Sequence, residues 1–339
     1  MANVDPTAYA LTEWMAAIIA ETTAGTINKT AMQLVNIDSP ASLTRNPELF
    51  TGMRSGVGRT PKVADSYGSE NGKIKTIQMS GLYDTTIGKI LLENVTGTEV
   101  STGPASVDIV GSYTNEITLG ATGLSDNIHT LSFVNIVPGG LEDSEYYPGC
   151  VVSELKLAFD TANDGGRWHF DTTLLTRGNS EMAVAPTSPA AFGATKRSIY
   201  ELTAASNAVM TMSTLGAEAD VILDSAEITF ASTPEWCGLG VNGVGDAINR
   251  ASAGWEVNGV FGVKFDANTS LANVDYKAGT TVAVAMHNNV WASATFGWLG
   301  SYGIITGDVN QEDVRSGAYV KIPIKFRAST TGDLFQIIP

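Results

Sequence analysis

Residues 149–177 limit the fold more than any other stretch. Val151, Leu155, Leu157 and Phe159 fall on one face of an extended chain, with Ser153 among them, and Val152, Glu154, Lys156 and Asp160 fall on the other. Ala162-Asn163-Asp164-Gly165-Gly166 breaks the pattern. It resumes with Trp168, Phe170, Thr172 and Leu174 against Arg167, His169, Asp171 and Thr173. A period of two on both sides of an Asn-Asp-Gly-Gly cluster predicts a β-hairpin with one buried face. We place it at the centre of a β-sheet protein. It holds no set of groups positioned for chemistry, so its polar face (Glu154, Lys156, Asp171) reads as a wall or an interface.

Further strands are predicted at 32–37, 73–79, 129–136, 221–230, 255–265 and 318–328. Residues 281–287 and 290–299 flank Asn288-Asn289 and predict a tight hairpin. Residues 13–22 fit two readings: Leu11, Trp14, Met15 and Ile18 suit a helix, but Thr-Thr-Ala-Gly-Thr after them suits the end of a strand. A helix is predicted over 84–97. Asp84 or Thr85 caps it, Ile87, Ile90, Leu91 and Val95 form its apolar stripe, and Gly97 stops it. A second, shorter helix is expected over 268–279. Near the C-terminus, Val320, Ile322, Ile324 and Phe326 alternate with Lys321, Pro323, Lys325 and Arg327, so Pro323 is expected at an edge or a bulge. An internal repeat is visible: strand, helix and Gly at 73–97 match 254–279, and the hairpin at 151–176 matches the pair 221–230 and 255–265.

Between these elements, residues 38–72 lack periodicity over a span too long for an ordinary connection. Arg45, Arg54, Arg59 and Lys62 make that loop basic in a chain whose net charge is −15. A plain surface loop is one reading. The sharper one is a loop that reaches an acidic neighbour, most simply another copy of the chain. The same charge balance, 35 acids against 20 bases, excludes a DNA-coating surface, because phosphate binding needs Lys and Arg. It allows a wall along which nucleic acid slides. Two cysteines, Cys150 and Cys237, make no disulfide framework and no zinc cluster, which suits synthesis in a reducing cytosol. The N-terminus lacks the pattern of a secretory signal, and no apolar run approaches a membrane span.

Chemical motifs are sparse. Gly238-Leu-Gly-Val-Asn-Gly243 spells GxGxxG, with Asp266 downstream, but a Pro-Glu-Trp-Cys stretch precedes it where a buried strand is needed. Asp160 to Gly166 suggests a calcium loop, yet Ala162 stands where a ligand belongs, so a turn is the better reading. His129, His169 and His287 are scattered in predicted strands and read as ordinary strand residues. Asn28, Asn94 and Asn268 match a glycosylation pattern that means nothing without secretion. No catalytic residue, cofactor or metal is expected.

The order of these pieces resembles the tail tube proteins of long-tailed bacteriophages. The matching stretches are Ala20-Glu-Thr-Thr-Ala-Gly25, the strand and Arg-Asn-Pro loop of 32–47, and the strand at 74–92, which runs through Gly81-Leu-Tyr-Asp-Thr-Thr into the helix. Tyr147-Pro-Gly-Cys-Val-Val-Ser-Glu-Leu-Lys-Leu before the hairpin and the C-terminal strands complete the set. The resemblance covers nearly the whole chain. It implies one mainly β domain over 1–339, a β-sandwich or barrel-like subunit with one or two short flanking α-helices and long loops. In it, 1–12 are an N-terminal arm, 38–72 a stacking loop, and 98–127, 178–219 and 300–317 insertions. Six copies would close into a hexameric ring with a continuous inner β-barrel, and rings would stack into a tube in the virion tail, assembled in the host bacterial cytoplasm. Arg45, Arg54, Arg59 and Lys62 become inter-ring contacts; Glu154, Lys156 and Asp171 become lumen or interface residues. The implied partners are further copies, a tape measure protein, a tail terminator, distal tail or baseplate proteins, and double-stranded DNA that passes without specific binding. No membrane is involved. The alternatives are another phage assembly protein (decoration, capsid-like or sheath-type) and a β-sandwich binding module or enzyme.

Overall fold

The computed structural model describes residues 15–45, 48–51, 66–69, 73–96, 101–104, 112–119, 130–136, 144–162, 166–183, 186, 189–191, 193, 210–212, 223–237, 247–250, 256–264, 269–287, 297–307, 319–327 and 335–338. The first strands are β1 (Met15–Ala20), β2 (Gln33–Val35) and β3 (Ser42–Thr44), followed by a ribbon of β4 (Glu48–Thr51) and β5 (Ser66–Ser69). Then β6 (Lys75–Leu82) leads into α1 (Thr85–Thr96). Next come β7 (Ser101–Pro104), β8 (Ser112–Leu119), β9 (Leu131–Ile136), β10 (Ser144–Asp160) and β11 (His169–Thr176). After β12 (Glu181–Ala183), β13 (Met210–Met212) and β14 (Leu223–Ala231), a second ribbon forms from β15 (Pro234–Cys237) and β16 (Ala247–Arg250). Finally β17 (Glu256–Lys264) leads into α2 (Thr269–Ala278), and β18 (Thr281–His287), β19 (Gly297–Ile305), β20 (Tyr319–Phe326) and β21 (Phe335–Ile338) complete the chain.

The fold is mainly β, with one large antiparallel sheet that does not close. Neighbouring strands run β3–β6–β11–β10–β14–β17–β20–β19–β18–β13. A second limb leaves the first half of β10 through β9 to β1 and β2. β10 serves both limbs because it bends at Gly149, whose φ of 64° favours a residue without a Cβ. The carboxylate of Glu21 holds that corner: it accepts from the amides of Gly25 (2.7 Å) and Gly149 (2.9 Å) and from the hydroxyls of Thr130 (2.6 Å) and Ser132 (2.8 Å). The turn after β1, the start of β9 and the bend of β10 thus share one acceptor.

One face of the large sheet is apolar and packs under α1 and the second limb. Ile77, Met79, Leu155, Phe170, Ile228, Phe261 and Ile324 all contribute to this continuous core. Asp84 caps α1 as expected, accepting from the amides of Thr86 and Ile87 at 3.0 Å each. The helix buries Ile87, Leu91, Leu92 and Val95. It also buries Asn94, whose amide oxygen accepts from the Val152 amide at 2.6 Å and ties helix to sheet.

The structure decides between some expectations and departs from others. Of the two readings of 13–22 it takes the strand, β1, because Ala16, Ala17 and Ile18 are buried between β2 and β9. In the central hairpin the facing shifts: Val152 opposes Leu174 while Glu154 opposes Thr173, so Ser153 is a β-bulge. The extra residue puts Val152, not Val151, in one core with Leu155 and Leu157. Ser232 clasps the bulge, its amide donating to the Ser153 carbonyl (2.8 Å) and its hydroxyl to that of Val152 (3.2 Å). The 38–72 loop contains β3, which joins β6 in the large sheet, and the β4–β5 ribbon, whose strands pair with each other and with no other described strand. The expected insertion at 98–127 holds β7 and β8, and β8 pairs with β21, a strand beyond the one expected to be last. The 178–219 stretch holds β12 and β13, and β19 runs to Ile305, into the expected 300–317 loop. His287 pairs with Gly297, so β18 and β19 are not joined by a two-residue turn at Asn288-Asn289. Nor do 221–230 and 255–265 repeat the hairpin: β14 and β17 pair, but through the second ribbon. Pro323 lies at no edge or bulge: it opposes Val260 on β17, and on the β19 side its carbonyl accepts from the Thr306 amide at 3.0 Å, just past the pair Ile305–Ile324. The expected arm at 1–12, Gly97 and the turn residues 163–165 lie outside the described residues.

Candidate functional site

The opposite face of the large sheet is polar, and no described element covers it. Cross-strand partners in an antiparallel sheet share a face, so the register assembles this surface strand by strand. Asp171 on β11 lies opposite Lys156 on β10, Lys156 opposite Thr229 on β14, Thr229 opposite Asn258 on β17, and Asn258 opposite Lys325 on β20. The face is therefore at least five strands wide. Glu154, Lys156 and Asp171, singled out from alternation alone, all lie on it, and none is fully buried.

Charges on this surface alternate in sign. Lys156 Nζ lies 2.7 Å from Glu227 Oε2, and Lys325 Nζ donates to Glu256 Oε1 at 2.5 Å. The hydrogen bond from Lys325 holds the Glu256 carboxyl below its ordinary range. Exposed pairs of this kind contribute ~0–1 kcal/mol each, so they set the charge pattern of the face more than its stability. Lys321 and Lys325 were already turned outward by the 318–328 alternation. That β20 shares a sheet with β10 was not readable, because that follows from β14 and β17 intervening between them.

The other predicted residues fall elsewhere. Arg45 is bound within its own chain: it pairs with Glu145, donates to the Tyr147 hydroxyl (2.7 Å) and stands 6.0 Å from that ring. Burial, and then the neighbouring Glu145, push the Tyr147 hydroxyl well above the usual tyrosine range. Arg45 so anchors the base of the β4–β5 ribbon to β10. Arg54, Arg59 and Lys62 lie outside the described residues, within the span that the ribbon closes.

Among the described residues, no chemistry collects around the remaining motifs. Gly238 to Gly243 and Asp266 lie outside the described residues, but Cys237 pairs with Ala247 across an antiparallel ribbon. A dinucleotide fingerprint needs a strand entering a helix at that point. His169 is a strand residue, with Nδ1 3.9 Å from Asp38 Oδ2; His129 lies outside the described residues. Cys150 is buried, and its thiol is pushed up by burial and then by Glu21, which leaves it unreactive. Among the described residues, no group of three His, Cys, Asp or Glu side chains could hold a metal. Nor is any helix among them long and apolar enough to cross a membrane.

The chain matches no family model and no curated protein.

Proposed function

We propose that the chain is a structural tail tube subunit. Copies close edge to edge into rings around a lumen, the rings stack, and the resulting tube carries DNA out of the virion into a host. The observation that carries this reading is a wide polar sheet face that no described element covers, in a sheet whose ends stay open among the described residues. An open antiparallel sheet is a template for further pairing, and closure into a barrel removes its edges. In a closed ring the polar face becomes the inner wall, with Glu154, Lys156 and Asp171 on it.

The interleaved charges suit a passage. Lysines that are already paired with carboxylates offer little to phosphate, and the net charge of −15 on each subunit opposes adhesion of DNA. The β4–β5 ribbon, which pairs with no other described strand, supports the stacking role of 38–72. Tape measure, terminator and distal tail proteins are the expected partners at the lumen and tube ends. The resemblance to tube proteins in the order of strand, Arg-Asn-Pro loop, strand, helix and hairpin adds to this reading.

Negative-stain microscopy of the concentrated, purified protein tests it. Rings or striated tubes are the expected result. A monomer at every concentration and salt condition, with or without DNA, would overturn the proposal.

A further inference from the structure

We infer that the chain is a tandem duplication of one unit that gives four strands to the wall of the large sheet, so that a ring contains three chains instead of six. This deepens the tube reading and rests on it.

The duplication lies in the order of elements. The first unit runs strand β3, ribbon β4–β5, strand β6, helix α1, then β9, β10, β11 and β12. The second runs strand β14, ribbon β15–β16, strand β17, helix α2, then β18, β19, β20 and β21. Pairings repeat with the order. β6 lies between β3 and β11, and β17 lies between β14 and β20. β10 follows β11 in the sheet, as β19 follows β20. The strand after each helix forms a hairpin with the next long strand: β9 with β10, and β18 with β19. Each last short strand returns to the start of that long strand, β12 to β10 and β21 to β19. The lead-in strands agree too, since β1 pairs with β9 and β13 with β18. Each helix packs on the same member of its unit, α1 on β10 and α2 on β19. Among the described strands, β2, β7 and β8 lack a counterpart.

The units therefore sit side by side in one sheet, β3–β6–β11–β10 and then β14–β17–β20–β19, related by a shift along the sheet. Their junction is the ladder from Glu154 opposite Ala231 to Asp160 opposite Ser225. Among the described residues, both ends of this order leave half of such a junction unfilled. β3 has three residues where β14 has nine, and no described strand pairs with its outer side. Tyr319 to Ile322 of β20 have β17 on one side and no described strand on the other, whereas His169 to Thr173 of β11 have β10 there. The second unit of one copy fits against β3 of the next as β10 fits against β14.

The number follows from the unit count. Each chain brings eight strands to this wall. With strands about 4.8 Å apart, three chains make a barrel roughly 37 Å across its backbone, before the strand tilt that widens any closed barrel. Three chains present six units, which matches a six-unit ring.

Cryo-electron microscopy of the assembled rings, together with their native mass, decides the matter. A three-fold axis and a ring mass of three times 35.6 kDa support the inference. A six-fold axis with six chains overturns the inference and leaves the tube reading intact. A protein that forms no ring overturns both.

Discussion

At the residue scale, Gly81 marks the closest approach of two backbone layers. A Cβ there would lie 1.8 Å from the Asn36 carbonyl oxygen, which itself accepts from the Leu82 amide at 3.1 Å. The obstacle is backbone, so no rotamer relieves it. Gly81→Ala is expected to lower stability by about 3 kcal/mol or more. Urea denaturation measures this; a loss below about 1 kcal/mol would contradict the packing described. Glu256 offers a gentler test. Its carboxyl is held below 4.5 by the hydrogen bond from Lys325. Its contribution is therefore present above the ordinary carboxylate range and is lost as pH falls through the lowered folded value. Because the pair is exposed, the effect on stability is small, and titration followed by NMR is the better readout. The Glu256 midpoint should lie below the ordinary carboxylate range and return toward it in Lys325→Met. What was legible at this scale followed from local rules: Asp84 was readable as a cap because capping uses a side chain two and three residues from the amides it serves. Ser153 as a bulge was not, since Val-Val-Ser reads the same with or without an extra residue. The register that exposes it is set by Leu174 and Thr173 on another strand.

At the element scale, the strands with strict alternation were the ones found from sequence. The second half of β10, with β11, β17 and β20, buries one face and leaves the other largely polar, so the pattern reports the environment. β8 was missed because Ser112 to Leu119 is mostly polar, and its partner β21 lies more than two hundred residues away in sequence. β12 and β13, at three residues each, are too short for any period to appear. The β4–β5 ribbon escaped for another reason: it pairs with itself and so needs no face turned to the core. That isolation makes it removable. Replacing 48–69 by a short Gly-Ser linker should leave the cooperative thermal transition of the subunit nearly unchanged while abolishing ring stacking. Circular dichroism follows the first and electron microscopy the second. Full-length tubes from the deleted protein would rule out a stacking role for the ribbon.

At the scale of the whole molecule, one sheet does two jobs with its two faces. The apolar face carries the core under α1 and the second limb; the polar face has no described element over it. The sequence showed both faces within the central hairpin, but the width of the polar face came only from the strand order, which joins residues from Asp171 to Lys325. Reversing charge on that face tests its role in passage: Glu154→Lys with Asp171→Lys should leave tubes intact while slowing DNA release, read as a drop in infectivity. Unchanged infectivity would count against a low-adhesion wall. The most direct test of the central claim is a density map of the assembled tube at side-chain resolution. Glu154, Lys156 and Asp171 should line the lumen on a wall of continuous antiparallel strands. A map in which those three residues point to the outer surface, or in which the sheets of neighbouring copies do not join, would contradict the account.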